Sequence, residues 1–188
     1  MTDLTPITAL GGAAPRREDF GPLTLAERPD LGLAALAVRA GAGGVRPAPL
    51  GLDLPGPGGL VLRDDLWAFW TGPEQWMIAG ERRAEEDFAA AVRRAAPGAS
   101  VTEQTDGWAA VEIASAGGAE PLLRLIEKLA NLDPARLAPG CAVRTGLHRM
   151  GVFVLRPSGD RLTLLGMRSA AGTLWQALET AARRNAAK

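Results

Sequence analysis

The chain has 188 residues, 47% of them apolar, with 21 basic and 21 acidic side chains, a composition that suits a folded globular domain and excludes a disordered or collagen-like one. A formal net charge of zero gives no general electrostatic attraction for nucleic acid or an anionic membrane. Cys141 is the only cysteine and His148 the only histidine, so this sequence alone builds neither an intrachain disulfide nor a Cys/His zinc cluster. The lone thiol, the absence of a basic-then-apolar leader in "MTDLTPITAL" and the lack of any run of about 20 apolar residues lead to the expectation of a cytoplasmic protein.

Residues 1–20 mix Pro, Gly, Ala and charge without sustained periodicity and are expected to form an extended arm. Residues 21–188 are expected to form a single α+β subunit. "GPLTLAER" and "GLAALAVRAG" read as short strands, although the Ala and Leu content of the second leaves a helix open. Glycine and proline interrupt every candidate element from Ala40 to Gly59, which reads as a loop, and neither "GAGG" nor "GPGG" within it completes a phosphate-binding motif.

"LVLRDDLWAFW" and "QWMIAG" are predicted strands, with turns at Arg63–Asp65 and at Gly72-Pro73-Glu74-Gln75. "AEEDFAAAVRRAAPG" is a predicted helix with Glu85, Glu86 and Asp87 in its first turn, Arg93 and Arg94 in its last, and Phe88 and Val92 on its buried stripe. "SVTEQTDGWAAVEIAS" reads as strand, turn near Asp106-Gly107, and strand. Leu122, Leu125, Ile126 and Leu129 share one face of a helix that begins around Pro121. After a loop, "GVFVLRPSGDRLTLLG" is a second hairpin, and "SAAGTLWQALETAARR" a closing helix capped by Ser169. A hairpin followed by a helix thus occurs twice, which predicts a pseudo-duplicated α+β fold with lobes of about 21–100 and 101–188.

Chemistry-bearing candidates are few. Cys141 and His148 lie close enough in sequence to raise a Cys-His nucleophile, but a small thiol and a polar strand residue explain both. Arg168-Ser169, between a strand and a helix, reads either as a cap beside a surface arginine or as a place for an anion or a partner's carboxylate. Three of the five tryptophans, Trp67, Trp70 and Trp76, fall within "WAFWTGPEQWM". Strand alternation sends Trp67 and Trp70 to opposite faces, so some rings are core and the rest form a patch of the kind that marks a protein interface. Trp67, Trp70, Trp76 and Arg168 are therefore the expected partner-contact residues.

Taken together, "LTPITALGGAAPR", "GPLTLAERPDLGLAALAVRAG", "AFWTGPEQWMIAG", "SVTEQTDGWAAVEI" and the segment from "LDPARLAPGCAVRTGLHRMG" to "LETAAR" resemble the gamma subunit of heterotetrameric sarcosine oxidase. The sequence departs from that family's pattern at Leu129–Leu132, where a cysteine is common, and at Gly151-Val152-Phe153, which replaces a Gly-Cys-Tyr type segment. The resemblance implies a fold similar to the folate-binding domain of aminomethyltransferases. It also implies a noncatalytic role beside alpha, beta and delta subunits that carry FAD, FMN, NAD, tetrahydrofolate and zinc, with no cofactor in this chain. Such a complex oxidises sarcosine to glycine with hydrogen peroxide and formaldehyde or methylenetetrahydrofolate as products. The alternatives are the equivalent subunit of an N-methylglutamate dehydrogenase-type complex and a free-standing folate-binding protein.

Overall fold

The computed structural model describes residues 7–38 and 47–186, so "GAGG" and the first residues of the expected arm lie outside the described residues. Eleven strands and three helices follow in chain order among them. The first half holds β1 (Arg17–Phe20), β2 (Leu23–Glu27), β3 (Gly32–Ala37), β4 (Leu60–Arg63), β5 (Leu66–Gly72), β6 (Gln75–Gly80) and α1 (Phe88–Ala95). The second holds β7 (Ser100–Glu103), β8 (Trp108–Ser115), α2 (Ala119–Leu129), β9 (Cys141–Leu147), β10 (Met150–Ser158), β11 (Arg161–Met167) and α3 (Ala171–Ala186).

The strands form two antiparallel sheets, ordered β1-β2-β8-β11-β10-β9 and β4-β5-β6-β3-β7. Setting β2-β8-β11-β10-β9 beside β7-β3-β6-β5-β4 shows the internal repeat: β10-β11 and β5-β6 occupy the same places, and each leads to a helix, α3 or α1. The fold is thus α+β and pseudo-duplicated. The first strand of each repeat sits in the other repeat's sheet. Leu23 of β2 pairs with Ser115 of β8, and Ala34 of β3 pairs with Glu103 of β7, so neither half-chain completes a sheet alone.

Alternation along the strands divides the core into three layers. Trp67, Phe69, Met77 and Ala79 meet Phe153, Leu155 and Leu165 between the sheets. The alternate residues Ala68, Trp76 and Ile78 turn to Phe88 and Val92 of α1. In the other sheet, Val152, Val154, Leu162 and Leu164 pack beneath Leu122, Leu125, Leu174 and Trp175 of the helices. Each sheet is therefore covered on both faces, which is why central strands such as β6 and β11 are buried at nearly every position instead of alternating.

Local chemistry explains where several elements depart from the sequence reading. Helix α1 begins at Phe88, because the Asp87 carboxylate accepts a hydrogen bond from Ala90 N at 2.9 Å as its N-cap, leaving Glu85 and Glu86 outside the helix. Ser169 is not a cap: it lies in a short 3-10 turn, Arg168–Ala170, that runs directly into α3. Arg17–Phe20, expected within the arm, pair instead with β2 as an edge strand. Strand β9 falls where the sequence predicts a loop, and His148 lies in the two-residue turn after it rather than in a strand.

The two-sided cover also fixes the tryptophans. Trp76 is 1% exposed and Trp67 4%, and Trp76 Nε1 donates to Pro55 O at 2.8 Å. Trp70, paired with Trp76 across the ladder, is half-buried. Replacing Trp76 by Ala is expected to cost about 3–5 kcal/mol, the range for large-to-small core substitutions. Trp70→Ala is expected to cost less than half as much. Urea denaturation of both variants checks the order, and equal losses would contradict this placement.

Candidate functional site

The four residues expected to meet a partner are not gathered in one place. Trp67 and Trp76 are inside the chain's own core and offer no ring to another protein, a correction that follows from the cover on both faces of their sheet. Trp70 packs partly against the α1 layer, whereas Arg168 sits at the end of β11, where its guanidinium donates to Ile7 O at 3.2 Å. Cys141 is half-buried at the start of β9 and His148 is exposed in the turn beyond its far end, so strand length keeps the thiol and the imidazole from forming a reacting pair. Among the described residues, no group of three or more His, Cys, Asp or Glu side chains is arranged to hold a metal ion. No described helix is long and apolar enough to cross a membrane.

A cavity of about 670 Å³ lies where the chain crosses between the sheets. One wall is the β2–β3 crossover, Glu27 to Leu33; another is the β7–β8 crossover, Thr105 to Ala110. The connection after each hairpin adds a side, through Arg82 and Glu85 after β6 and Arg168 after β11, while Ile7 and Thr8 close the rim. Equivalent segments of both repeats thus surround one space. Gly32 permits the close approach: a Cβ there would stand 2.6 Å from Arg83 O. The volume lies within the range that holds small organic molecules.

The charges around this cavity are largely committed to the fold. Glu27 is buried, with one carboxylate oxygen accepting from Leu10 N at 3.1 Å and the other from Arg16 N at 2.9 Å, which ties the N-terminal segment to β2. The Arg28 guanidinium makes a two-point contact with Asp30, at 2.8 and 3.0 Å, and reaches Glu112 at 3.1 Å and Glu81 at 3.3 Å. It also lies 6.0 Å from the centre of the Trp67 ring. Sequence reading missed this centre, although "ERPD" carries the signal in a turn-forming proline between an arginine and an aspartate. The partners lie across other strands and were not legible.

The hydrogen bonds that Arg28 donates to the Asp30 carboxylate raise the Arg28 pKa, outweighing burial, and the neighbouring carboxylates add to the effect. Burial alone would raise the Asp30 carboxyl, but the Arg28 hydrogen bond and charge, with backbone N–H donors, hold it below its usual 3.8. A depressed carboxyl contributes stability that is complete above its unfolded value and is lost as pH falls through its folded one. Asp30→Asn should therefore destabilise the protein near neutrality, and the gap from the parent should narrow in acid. Urea unfolding of both at about pH 7 and about pH 3 tests this; a gap independent of pH would refute it.

No family model matches the sequence, and no curated protein matches it by sequence. Solved structures do match its fold. A chain of the heterotetrameric sarcosine oxidase from Corynebacterium sp. U-96, in complex with pyrrole 2-carboxylate, superposes with a TM-score of 0.68 and 17% identity, covering 91% of this chain and 89% of that one. The glycine cleavage system aminomethyltransferase T from Bartonella henselae gives a TM-score of 0.57 at 16% identity, covering 84% of this chain and 48% of that one. This chain accordingly has the fold of a whole chain of heterotetrameric sarcosine oxidase and of about half an aminomethyltransferase.

Proposed function

We propose that the chain is a noncatalytic subunit of a sarcosine oxidase-type complex, equivalent to its gamma subunit, and that it supports the assembly of alpha, beta and delta subunits. The observation that carries this reading is the reciprocal match in extent: the chain and its sarcosine oxidase neighbour cover each other almost completely, while an aminomethyltransferase is about twice as long. On this reading FAD, FMN, NAD, tetrahydrofolate and zinc belong to the partners. This subunit contributes a rigid surface, and the committed state of its central charges fits that role. Arg28 pairs with Asp30, Glu81 and Glu112, Arg161 also reaches Glu112 at 3.2 Å and Arg82 reaches Glu81 at 3.7 Å, and these contacts hold the crossovers in place.

The surface offered to a partner on this reading includes the cavity rim. Ile7 is 60% exposed and Met167 51%, and Arg168 lies beside them with half-buried Trp108 across the β8–β11 ladder. Apolar side chains beside a guanidinium are a common composition for the centre of an interface.

The cavity volume favours one second reading, a protein that binds a folate-like molecule by itself. The engagement of Glu27 by backbone N–H groups and of Asp30 by Arg28 weighs against it, because those carboxylates are not free for a pterin.

A tagged chain expressed in its native cell should recover a large yellow complex that produces hydrogen peroxide from sarcosine. Met167→Glu combined with Arg168→Glu should weaken its association with the other subunits at least about tenfold, the scale of a hot-spot loss. A colourless chain recovered alone, with saturable calorimetric heat on adding tetrahydrofolate, would replace this reading with the folate-binding one.

A further inference from the structure

A second concavity, of about 340 Å³, lies away from the cavity between the sheets. It runs along α3 between the end of α2 and the turn joining β9 to β10. Thr173, Gln176, Thr180 and Arg184 recur along one face of α3, Ala177 and Ala181 give a shallow floor, and Lys128 and His148 stand at the sides. Among the described residues, no carboxylate lines it. In a chain with equal numbers of acidic and basic side chains, a groove of one sign is a local concentration.

The cations are not there simply to answer the helix ends. Lys128 and Arg184 lie in the last turns of α2 and α3, and each helix terminus supplies roughly half a negative charge. Two full positive charges exceed that sum, with the His148 imidazole beside them. Lys128 Nζ does donate to Arg184 O at 3.0 Å, but this leaves its charge uncompensated. The contrast is one residue away: Arg183 is paired with Glu179 at 2.7 Å and with Glu18 at 3.8 Å, whereas neither Lys128 nor Arg184 has a carboxylate partner among the described residues.

The turn that carries His148 gives an independent observation. Leu147 pairs with Met150, so the β9–β10 hairpin closes through His148 and Arg149 alone, with φ of 44° and 67°. Two successive left-handed residues are the geometry for which Asn-Gly is favoured. Here the chain carries histidine and arginine instead, accepting backbone strain in a turn that places the His148 imidazole at the groove's edge.

We propose that this groove docks an acidic segment of a partner polypeptide, whose carboxylates meet Lys128, His148 and Arg184 while its backbone lies over Ala177 and Ala181. Charge complementarity identifies the occupant. The extended concave shape along the helix face suits a peptide better than a flat anionic bilayer.

The test uses the full chain and a fluorescent peptide of alternating glutamate and alanine, with a glutamine-alanine peptide as control and inorganic phosphate as competitor. Saturable anisotropy is expected for the glutamate peptide only, falling as salt is raised. Lys128→Glu with Arg184→Glu should weaken it at least about tenfold, while Arg94→Glu on α1 leaves it unchanged. The pair His148→Asn and Arg149→Gly should weaken binding yet raise Tm by roughly 2–4 °C as the strain is relieved. A loss of peptide affinity accompanied by higher stability cannot come from misfolding. Equal binding of the two peptides, indifference to the double charge reversal, unchanged binding in the turn variant, or phosphate binding without peptide binding would each overturn the assignment.

Discussion

The exchange of first strands between the two repeats is the constraint on which the rest of the molecule depends. Because β2 completes the sheet of the second repeat and β7 completes the sheet of the first, the chain must pass between layers at two places. Those passages cannot be apolar throughout, since their backbone groups leave the ladders and need other partners. Arg28 N donates to Ala110 O at one, and the Glu103 carboxylate accepts from the Gln104 and Thr105 N–H groups at the other. The main cavity, the Arg28 network and the exposed rim around Arg168 all arise at these passages.

The same exchange separates what the sequence made legible from what it did not. The hairpins around Gly72-Pro73 and Ser158-Gly159 are set by local turn chemistry and strand patterning, and both lie where the residues place them. The recurrence of hairpin and helix followed from those local signals. Strand β1 was obscured because "REDF" is an edge strand with only Phe20 deeply buried, and β9 because Arg144 and Gly146 break its apolar pattern. Both are strands by virtue of their neighbours.

Site residues were less legible than the fold for a related reason. A tryptophan's character fixes that it needs cover but not which body supplies it. For Trp67 and Trp76 the cover is the other sheet and α1, from the same chain. The residues that define the cavity are charged groups with local explanations in sequence, as caps or turn neighbours. Their convergence depends on the pairing of segments far apart along the chain, as with Arg28 and Glu112. In a protein proposed to act through surfaces, no reacting constellation marks such positions beforehand.

The strand exchange also orders the birth of the protein. Leu23 waits for Ser115 before its ladder to β8 can form, and Arg16, held over the Trp175 ring at 4.7 Å, waits until α3 has been made. A nascent chain therefore carries the β8-facing edge of β2 unpaired throughout synthesis of the first repeat, with only β1 on its other side. Such an edge is a template on which the strand of another copy can pair in place of its own. The duplicated architecture thus makes the interval before β8 is synthesised a stage at which the chain presents an open pairing edge.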